Sequence, residues 1–115
     1  MLATALLLAS PTWAGGSAAK GREIAIEHCS RCHVIPDHNP MGGLGSTPSF
    51  KVLTWLADYE ERILTFFARP PHPVFVRVPG VDKRAKDLPD TIATFNITEG
   101  DIADILAYVR AIKGK

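Results

Sequence analysis

The apolar positions along the chain recur with the period of α-helices, and the pattern is clearest near the C-terminus. Apolar residues there trace the i, i+3, i+4, i+7 stripe of a helix with one buried face. They are Ile102, Ile105, Leu106, Val109 and Ile112. Upstream of the stripe, Thr98 and Asp101 have the spacing of a capping box, with aspartate in place of the usual glutamate. The pattern therefore predicts a last helix that begins just after Thr98 and buries its apolar face.

Two earlier stretches are also predicted to be helical. The first covers residues 18–32, which are rich in good helix formers. The second begins with Thr47 as the expected N-cap and Pro48 at the first helical position. Its apolar stripe drifts near Asp58, which indicates two helices separated by a break at that point.

The segments between the predicted helices have the composition of loops. Residues 34–47 combine prolines, glycines and Asn39, and residues 70–90 are rich in proline with no sustained period. The alternating run VFVRV, residues 74–78, is flanked by prolines, so no strand is predicted there. A loop as long as residues 70–90 in a compact domain is usually functional. The predicted fold is all-α, with three to five helices and the first and last helices packed together.

The N-terminal segment MLATALLLASPTWA differs from the rest of the chain. Residues 2–9 form an apolar run that is too short to span a bilayer as a helix, and Ala14 is a small residue suited to a signal-peptidase cut. We interpret residues 1–14 as an export signal and residues 15–115 as a single domain. The basic residues that usually open such a signal are missing, so an uncleaved anchor or a disordered tail is the alternative.

Composition narrows the classes of function. The 115-residue chain has a formal net charge of +1, without the basic excess that indicates nucleic-acid binding. A domain of about a hundred residues buries only roughly two thirds of its unfolded surface, so it is marginal without a disulfide, a metal or a large apolar cofactor. This marginal stability directs attention to the two cysteines of the chain.

The segment HCSRCHVIP places Cys29, Cys32 and His33 together, and four chemistries use such a cysteine pair. A thiol redox motif requires a βαβ setting, and a disulfide between residues three apart closes too small a loop to stabilise much. A zinc site needs four ligands, with His33 as the third and His38 or His72 as the fourth. Covalent haem attachment binds both sulfurs to the porphyrin and the adjacent histidine to iron. Only haem attachment explains why the histidine follows at once.

With this motif in place, the chain resembles the small bacterial monohaem c-type cytochromes over about residues 18–115. The segment GREIAIEHCSRCH looks like their first helix and haem motif, GSTPSF like their proximal loop, and ITEGDIADILAYVRAIK like their last helix. The resemblance implies one covalent haem (heme c) per chain, attached through Cys29 and Cys32. It implies His33 as the proximal iron ligand, with its imidazole oriented by a hydrogen bond to the Pro48 carbonyl.

The chain departs from the family at the sixth iron ligand, which is usually a methionine on the loop before the last helix. The two alignments of that loop place Ile92 or Phe75 at the methionine position. Met1 belongs to the predicted signal, and Met41 lies only eight residues after His33 on the proximal side.

We predict that His72 is the distal ligand, because neutral imidazole binds iron well and the flanking prolines stiffen the backbone around it. Met41 is the alternative distal ligand. His38 is even closer to His33 in the sequence than Met41 and is disfavoured because it would also have to reach the other side of the haem. Lys83 or Lys86 would have to be buried and deprotonated. An iron without a protein ligand on one side is the last alternative.

The resemblance implies a periplasmic carrier of single electrons rather than an enzyme. Its expected partners are redox proteins, including transient contact with membrane-bound respiratory complexes, and it is expected to be a monomer that binds no nucleic acid. The alternative function follows from an open sixth site, which would bind a gas or peroxide.

Overall fold

The computed structural model describes residues 15–82 and 88–115. The predicted export signal, residues 1–14, lies outside the described residues. So do residues 83–87, which include the alternative ligands Lys83 and Lys86.

Within the described ranges the chain is mainly helical. Its α-helices are α1 (Ala18–Ile24), α2 (Phe50–Leu53), α3 (Tyr59–Leu64) and α4 (Glu99–Lys113). A π-helical turn, Ala25–Cys29, continues α1, and two 3₁₀ turns, Phe66–Ala68 and His72–Val74, follow α3. The two-residue strands β1 (Val76–Arg77) and β2 (Phe95–Asn96) pair in parallel. The prediction of a small all-α domain with three to five helices is confirmed at this level.

The main core forms where α1 crosses α4. The predicted apolar stripe of α4 is buried as a whole, and Val109 has no exposed surface. Gly21 allows the close crossing, because a Cβ atom at this position would collide with the Asp104 carbonyl and lie 2.9 Å from the Ile105 nitrogen. The predicted packing of the first helix against the last is therefore present, and a glycine makes it this close.

Both helices of this pair begin with a side-chain cap. The Ser17 hydroxyl accepts a hydrogen bond from the Lys20 amide at the start of α1. At α4 the predicted capping box is confirmed: the Thr98 hydroxyl accepts from the Asp101 amide, and the Asp101 carboxylate accepts from the Thr98 amide. The bond from the Thr98 amide is the main cause that holds the pKa of Asp101 below its usual value.

The start of α2 corrects the sequence prediction. Its N-cap is Ser49, whose hydroxyl accepts from the Val52 amide, and not Thr47 followed by Pro48 as the first helical residue. The carbonyl of Pro48 is instead used by a side chain from the cysteine motif, described below. The predicted break at Asp58 is confirmed, because Asp58 precedes the first residue of α3.

The strand pair corrects a second expectation, since no strand is predicted in residues 74–78. Val76 is paired with Phe95 and Arg77 with Asn96, so the long loop is tied to the segment just before α4. Four buried apolar residues form a second core cluster around this pair. They are Val76, Val78, Ile97 and Ile102. The prolines that flank residues 74–78 do not prevent this pairing, although the strand is only two residues long.

Among the described residues, no helix has the length and apolar character required to span a bilayer.

Candidate functional site

The cysteine motif lies at the end of the first helical segment. Cys29 is the last residue of the π-helical turn, so the helix ends before Cys32 rather than at it as predicted. The amides of Cys32 and His33 both donate to the Cys29 carbonyl, at 3.2 and 2.9 Å. Both thiols are free and half-buried. A π-helical turn inside a helix frequently marks a functional site, and here it ends on the first cysteine.

The acidity of Cys29 argues against thiol redox chemistry. Burial, together with the neighbouring Cys32, raises the pKa of the Cys29 thiol to about 12. Reactive cysteines of disulfide oxidoreductases have the opposite property, a depressed pKa that supplies thiolate at neutral pH. The polypeptide therefore does not by itself activate Cys29 as a nucleophile.

Asn39 holds the backbone that follows the cysteines. Its side-chain oxygen accepts a hydrogen bond from the Ile35 amide at 2.7 Å. Its side-chain nitrogen donates to the carbonyls of Ser30 and His33, each at 3.1 Å. One amide side chain thus satisfies three backbone groups of the motif and fixes how the chain leaves His33.

Gly43 brings the loop back onto the motif. Its φ of +76° belongs to the region that favours glycine, and a Cβ atom there would lie 3.1 Å from the Cys32 carbonyl oxygen. The next residue, Leu44, donates its amide to the same Cys32 carbonyl at 2.9 Å. The loop of residues 34–47 is therefore an ordered support for the motif.

We expect Asn39→Asp to lower the free energy of unfolding by about 2 kcal/mol, because a carboxylate keeps the acceptor for Ile35 but cannot donate to two carbonyls. Urea denaturation of the variant and the wild type measures this difference. Asn96→Asp makes the same chemical change at an exposed position and serves as the control. Equal stability of the two variants would show that the amide donors do not hold the motif.

The imidazole of His33 is oriented by the proximal loop. Its Nδ1 atom lies 2.6 Å from the Pro48 carbonyl oxygen, so the predicted hydrogen bond is present. A carbonyl can only accept, so Nδ1 donates and the lone pair of the neutral ring is on Nε2. Phe50, the first residue of α2, contacts the ring edge-on with centroids 5.5 Å apart. Burial is the main cause that lowers the pKa of His33, and the nearby His72 adds to it, which favours the neutral ring.

The imidazole of His72 is held in an equivalent way. His72 begins a 3₁₀ turn, and its Nδ1 atom lies 2.9 Å from the Arg69 carbonyl oxygen, so Nδ1 again donates. The ring of Phe66 packs edge-on against it, with centroids 5.2 Å apart and planes at 86°. Each histidine thus has one nitrogen bound to a backbone carbonyl and an aromatic ring at its edge.

The fold brings the rings of His33 and His72 close together, although 39 positions separate the two residues in the sequence. Their ring centroids are 6.2 Å apart, and their planes are parallel to within 3°. The rings of His28 and Phe95 are also parallel to within 8°, but their centroids are closer, at 4.2 Å. The rings of His33 and His72 are therefore parallel but about 2 Å farther apart than in that close ring stack.

The distance between the two ring centroids is compatible with one metal ion bound by both imidazoles. An imidazole nitrogen binds a metal at about 2.0 Å and lies about 1 Å from its ring centroid, so two imidazoles on opposite sides of one metal have centroids about 6 Å apart. The observed 6.2 Å satisfies that requirement. Engagement of Nδ1 by a carbonyl, leaving Nε2 for the metal, is also the usual arrangement of metal-binding histidines.

The other predicted ligands lie in less suitable surroundings. Met41 is 97% exposed, and His38 is exposed in the same loop. Of the two residues that align with the family's methionine, Ile92 is 94% exposed and Phe75 is half-buried. Among the candidates in the described ranges, His72 is the one that the fold places opposite His33.

Sequence reasoning missed two residues near this site. His28 stacks on Phe95 and so connects the cysteine motif to β2. Arg77 is 7% exposed and contacts the turn that carries His72. No signal marked either residue, since their partners are distant in the sequence or lie on the backbone.

A conventional metal site is not visible in the part of the chain that the structure describes, which contains no group of three or more His, Cys, Asp or Glu suited to a metal ion. His33 and His72 would supply two imidazole nitrogens to one metal, and a planar ligand such as a porphyrin would supply the remaining donors. The donor set thus fits haem iron better than zinc, which takes four ligands in a tetrahedron. Comparison of the chain with protein-family models, curated protein sequences and solved structures finds no match.

Proposed function

We propose that this protein is a monohaem c-type cytochrome that carries single electrons between redox proteins. The observation that carries the proposal is the pair of parallel imidazoles, His33 and His72, separated by 6.2 Å beside the Cys29–Cys32 motif. Each imidazole is fixed through Nδ1 by a backbone carbonyl. The haem would supply an iron that gains and loses one electron.

Different residues of the chain would attach the haem and bind its iron. Cys29 and Cys32 would attach the porphyrin, and His33 would bind iron from the side of the Pro48 loop. His72 would bind iron from the opposite side. Because the Pro48 and Arg69 carbonyls fix both rings, the two imidazoles would hold the iron with little movement of the protein.

Occupation of both axial positions by protein favours electron transfer over ligand binding. In a haem protein with an open sixth site, the side opposite the proximal histidine is left free for a gas or peroxide. In this proposal His72 would fill that place, and its ring is held by the Arg69 carbonyl and the Phe66 ring. Histidine in place of methionine lowers the reduction potential, so we propose a low-potential carrier.

The setting of this carrier is proposed from the sequence. We propose that it works in the periplasm, because covalent haem attachment and an export signal at residues 1–14 are both expected from the sequence, and that it is a monomer. Its partners would be other redox proteins, including membrane-bound respiratory complexes in transient contact.

Production in a host competent in cytochrome maturation tests the proposal. We expect a coloured protein with a Soret band and a mass increase equal to one haem, because both sulfurs would be bound covalently. Replacing both Cys29 and Cys32 with alanine should abolish the covalent mass increase, whereas His38→Ala, a change in the supporting loop, should retain it. A colourless wild-type protein with two thiols free to alkylation would refute the proposed function.

A further inference from the structure

Arg77 is a buried charge whose role the axial ligands and the cysteines do not explain. The residue is 7% exposed. Its ion pair with Asp90 spans 3.7 Å, and the Asp90 side chain is 83% exposed, so this pair is weak. Burying a guanidinium costs several kcal/mol unless its N–H groups are hydrogen-bonded.

Backbone carbonyls supply those hydrogen bonds. One terminal nitrogen of the guanidinium donates to the Pro73 carbonyl at 3.0 Å and to the Val76 carbonyl at 3.4 Å. The other donates to the carbonyls of Leu88 and Pro89, at 3.3 and 3.5 Å. The side chain therefore bridges two segments of the long loop, one on each side of residues 83–87.

The proline content of the loop explains why an arginine is used. Pro70, Pro71, Pro73 and Pro89 have no backbone N–H, so the loop has fewer donors than carbonyls. The two terminal nitrogens of one guanidinium replace missing donors from a single fixed plane. A lysine ammonium is a point charge and cannot span two segments in the same way.

The clamped turn carries His72. Pro73, whose carbonyl receives the shortest of these bonds, directly follows His72 in the 3₁₀ turn. The Phe75 amide donates to the His72 carbonyl at 2.8 Å, and the Arg77 carbonyl accepts from the Ile97 amide at 2.9 Å. Hydrogen bonds thus connect the turn that carries His72, through Arg77 and the strand pair, to the segment before α4.

We propose that Arg77 is a positioning residue for His72: its buried guanidinium holds the Pro73 carbonyl against the Leu88–Pro89 segment and so keeps the His72 imidazole opposite His33. The proposal rests on the proposed function, because the consequence of losing this position is read at the haem iron. Without the clamp, the turn gains freedom and His72 leaves the metal more often.

Carbon monoxide binding to the reduced, haem-loaded protein measures how often His72 leaves. Apparent affinity rises in proportion to the fraction of protein with the site open. We expect Arg77→Met to bind carbon monoxide about tenfold more tightly than the wild type, and Arg77→Lys to show a smaller increase. Hydrogen exchange provides a second readout, because the Phe75 amide bonded to His72 should exchange faster in Arg77→Met.

Val109→Ala is the matched control, because it removes buried volume from the core cluster between α1 and α4. Arg77 belongs instead to the strand pair beside the second cluster. Val109→Ala should lower stability without changing carbon monoxide affinity. An unchanged affinity in Arg77→Met, or an equal increase in Val109→Ala, would overturn the proposal. If Arg77→Met does not fold, Arg77→Lys decides, and wild-type affinity in that variant overturns the proposal equally.

Different experimental results would refute the proposed function and the role of Arg77. A wild-type protein without haem, or one whose spectrum is unaffected by loss of His72, removes the proposed ligand and hence the readout. Two results together would refute only the role of Arg77. The haem-loaded His72→Ala variant would lose the low-spin spectrum, and the Arg77→Met variant would resist carbon monoxide as the wild type does.

Discussion

Replacing His72 with alanine is expected to convert the haem-loaded protein from low spin to high spin. The variant lacks the imidazole whose ring centroid lies 6.2 Å from that of His33, so under the proposed function the iron would lose one of its two protein ligands. Electron paramagnetic resonance of the oxidised protein and its visible spectrum measure the change. The reduced variant should also bind carbon monoxide without denaturant, which the wild type should resist.

Met41→Ala distinguishes His72 from the competing methionine. Met41 is 97% exposed, so its removal should leave the low-spin signal and the unfolding transition unchanged. Free imidazole added to His72→Ala should restore the low-spin spectrum, because it replaces the missing donor without restoring the loop. A low-spin signal that persists in His72→Ala and disappears in Met41→Ala would reverse the ligand assignment.

Gly21→Ala is expected to destabilise the fold by about 3 kcal/mol, near the upper end for overpacked cores. The added Cβ would collide with the Asp104 carbonyl and lie 2.5 Å from the Asp104 carbonyl carbon, and these backbone atoms of α4 cannot rotate away. Alanine gains at most about 1 kcal/mol of helix propensity over glycine, so the steric cost dominates. Thermal unfolding followed by circular dichroism should show a midpoint lower by roughly 15 °C.

Gly45→Ala provides the control for this substitution. A Cβ atom added at Gly45 would have no neighbouring atom within 4 Å, so the same substitution should be nearly neutral there. A Gly21→Ala protein as stable as Gly45→Ala would mean that α1 and α4 can separate at little cost. The close crossing would then not be what stabilises the core.

The parts of the fold that depend on local sequence were predictable. Helix α4 carries both its capping box and its apolar stripe in adjacent residues, so its start at Thr98 and its buried face follow from the sequence. The break before α3 was visible as a drift of the apolar stripe near Asp58. The start of α2 was misplaced because Thr47 and Pro48 form an equally good local start signal, and only the distant His33 takes the Pro48 carbonyl.

The parts of the site that depend on distant contacts were predictable only in part. The motif and the family resemblance predicted Cys29, Cys32, His33 and the Pro48 hydrogen bond, and the bond is present. His72 was one of several ligand candidates, because nothing in its neighbourhood specifies a partner 39 residues away.

Arg77 could not be recognised as a buried residue from the sequence. It sits in an alternating apolar run, where an arginine normally points to solvent. Its bonds go mainly to backbone carbonyls, which exist at every position and therefore leave no mark in the side-chain pattern.

The crossing of the first and last helices also sets the order of events in biogenesis. The hydrogen bond from the Ser17 amide to Asp104 joins residues 87 positions apart, so the hydrophobic centre cannot close until the C-terminal helix has been synthesised. Until then the two thiols lie on unfolded polypeptide. Under the proposed function, both thiols would therefore be accessible to a haem-attaching enzyme before the chain folds.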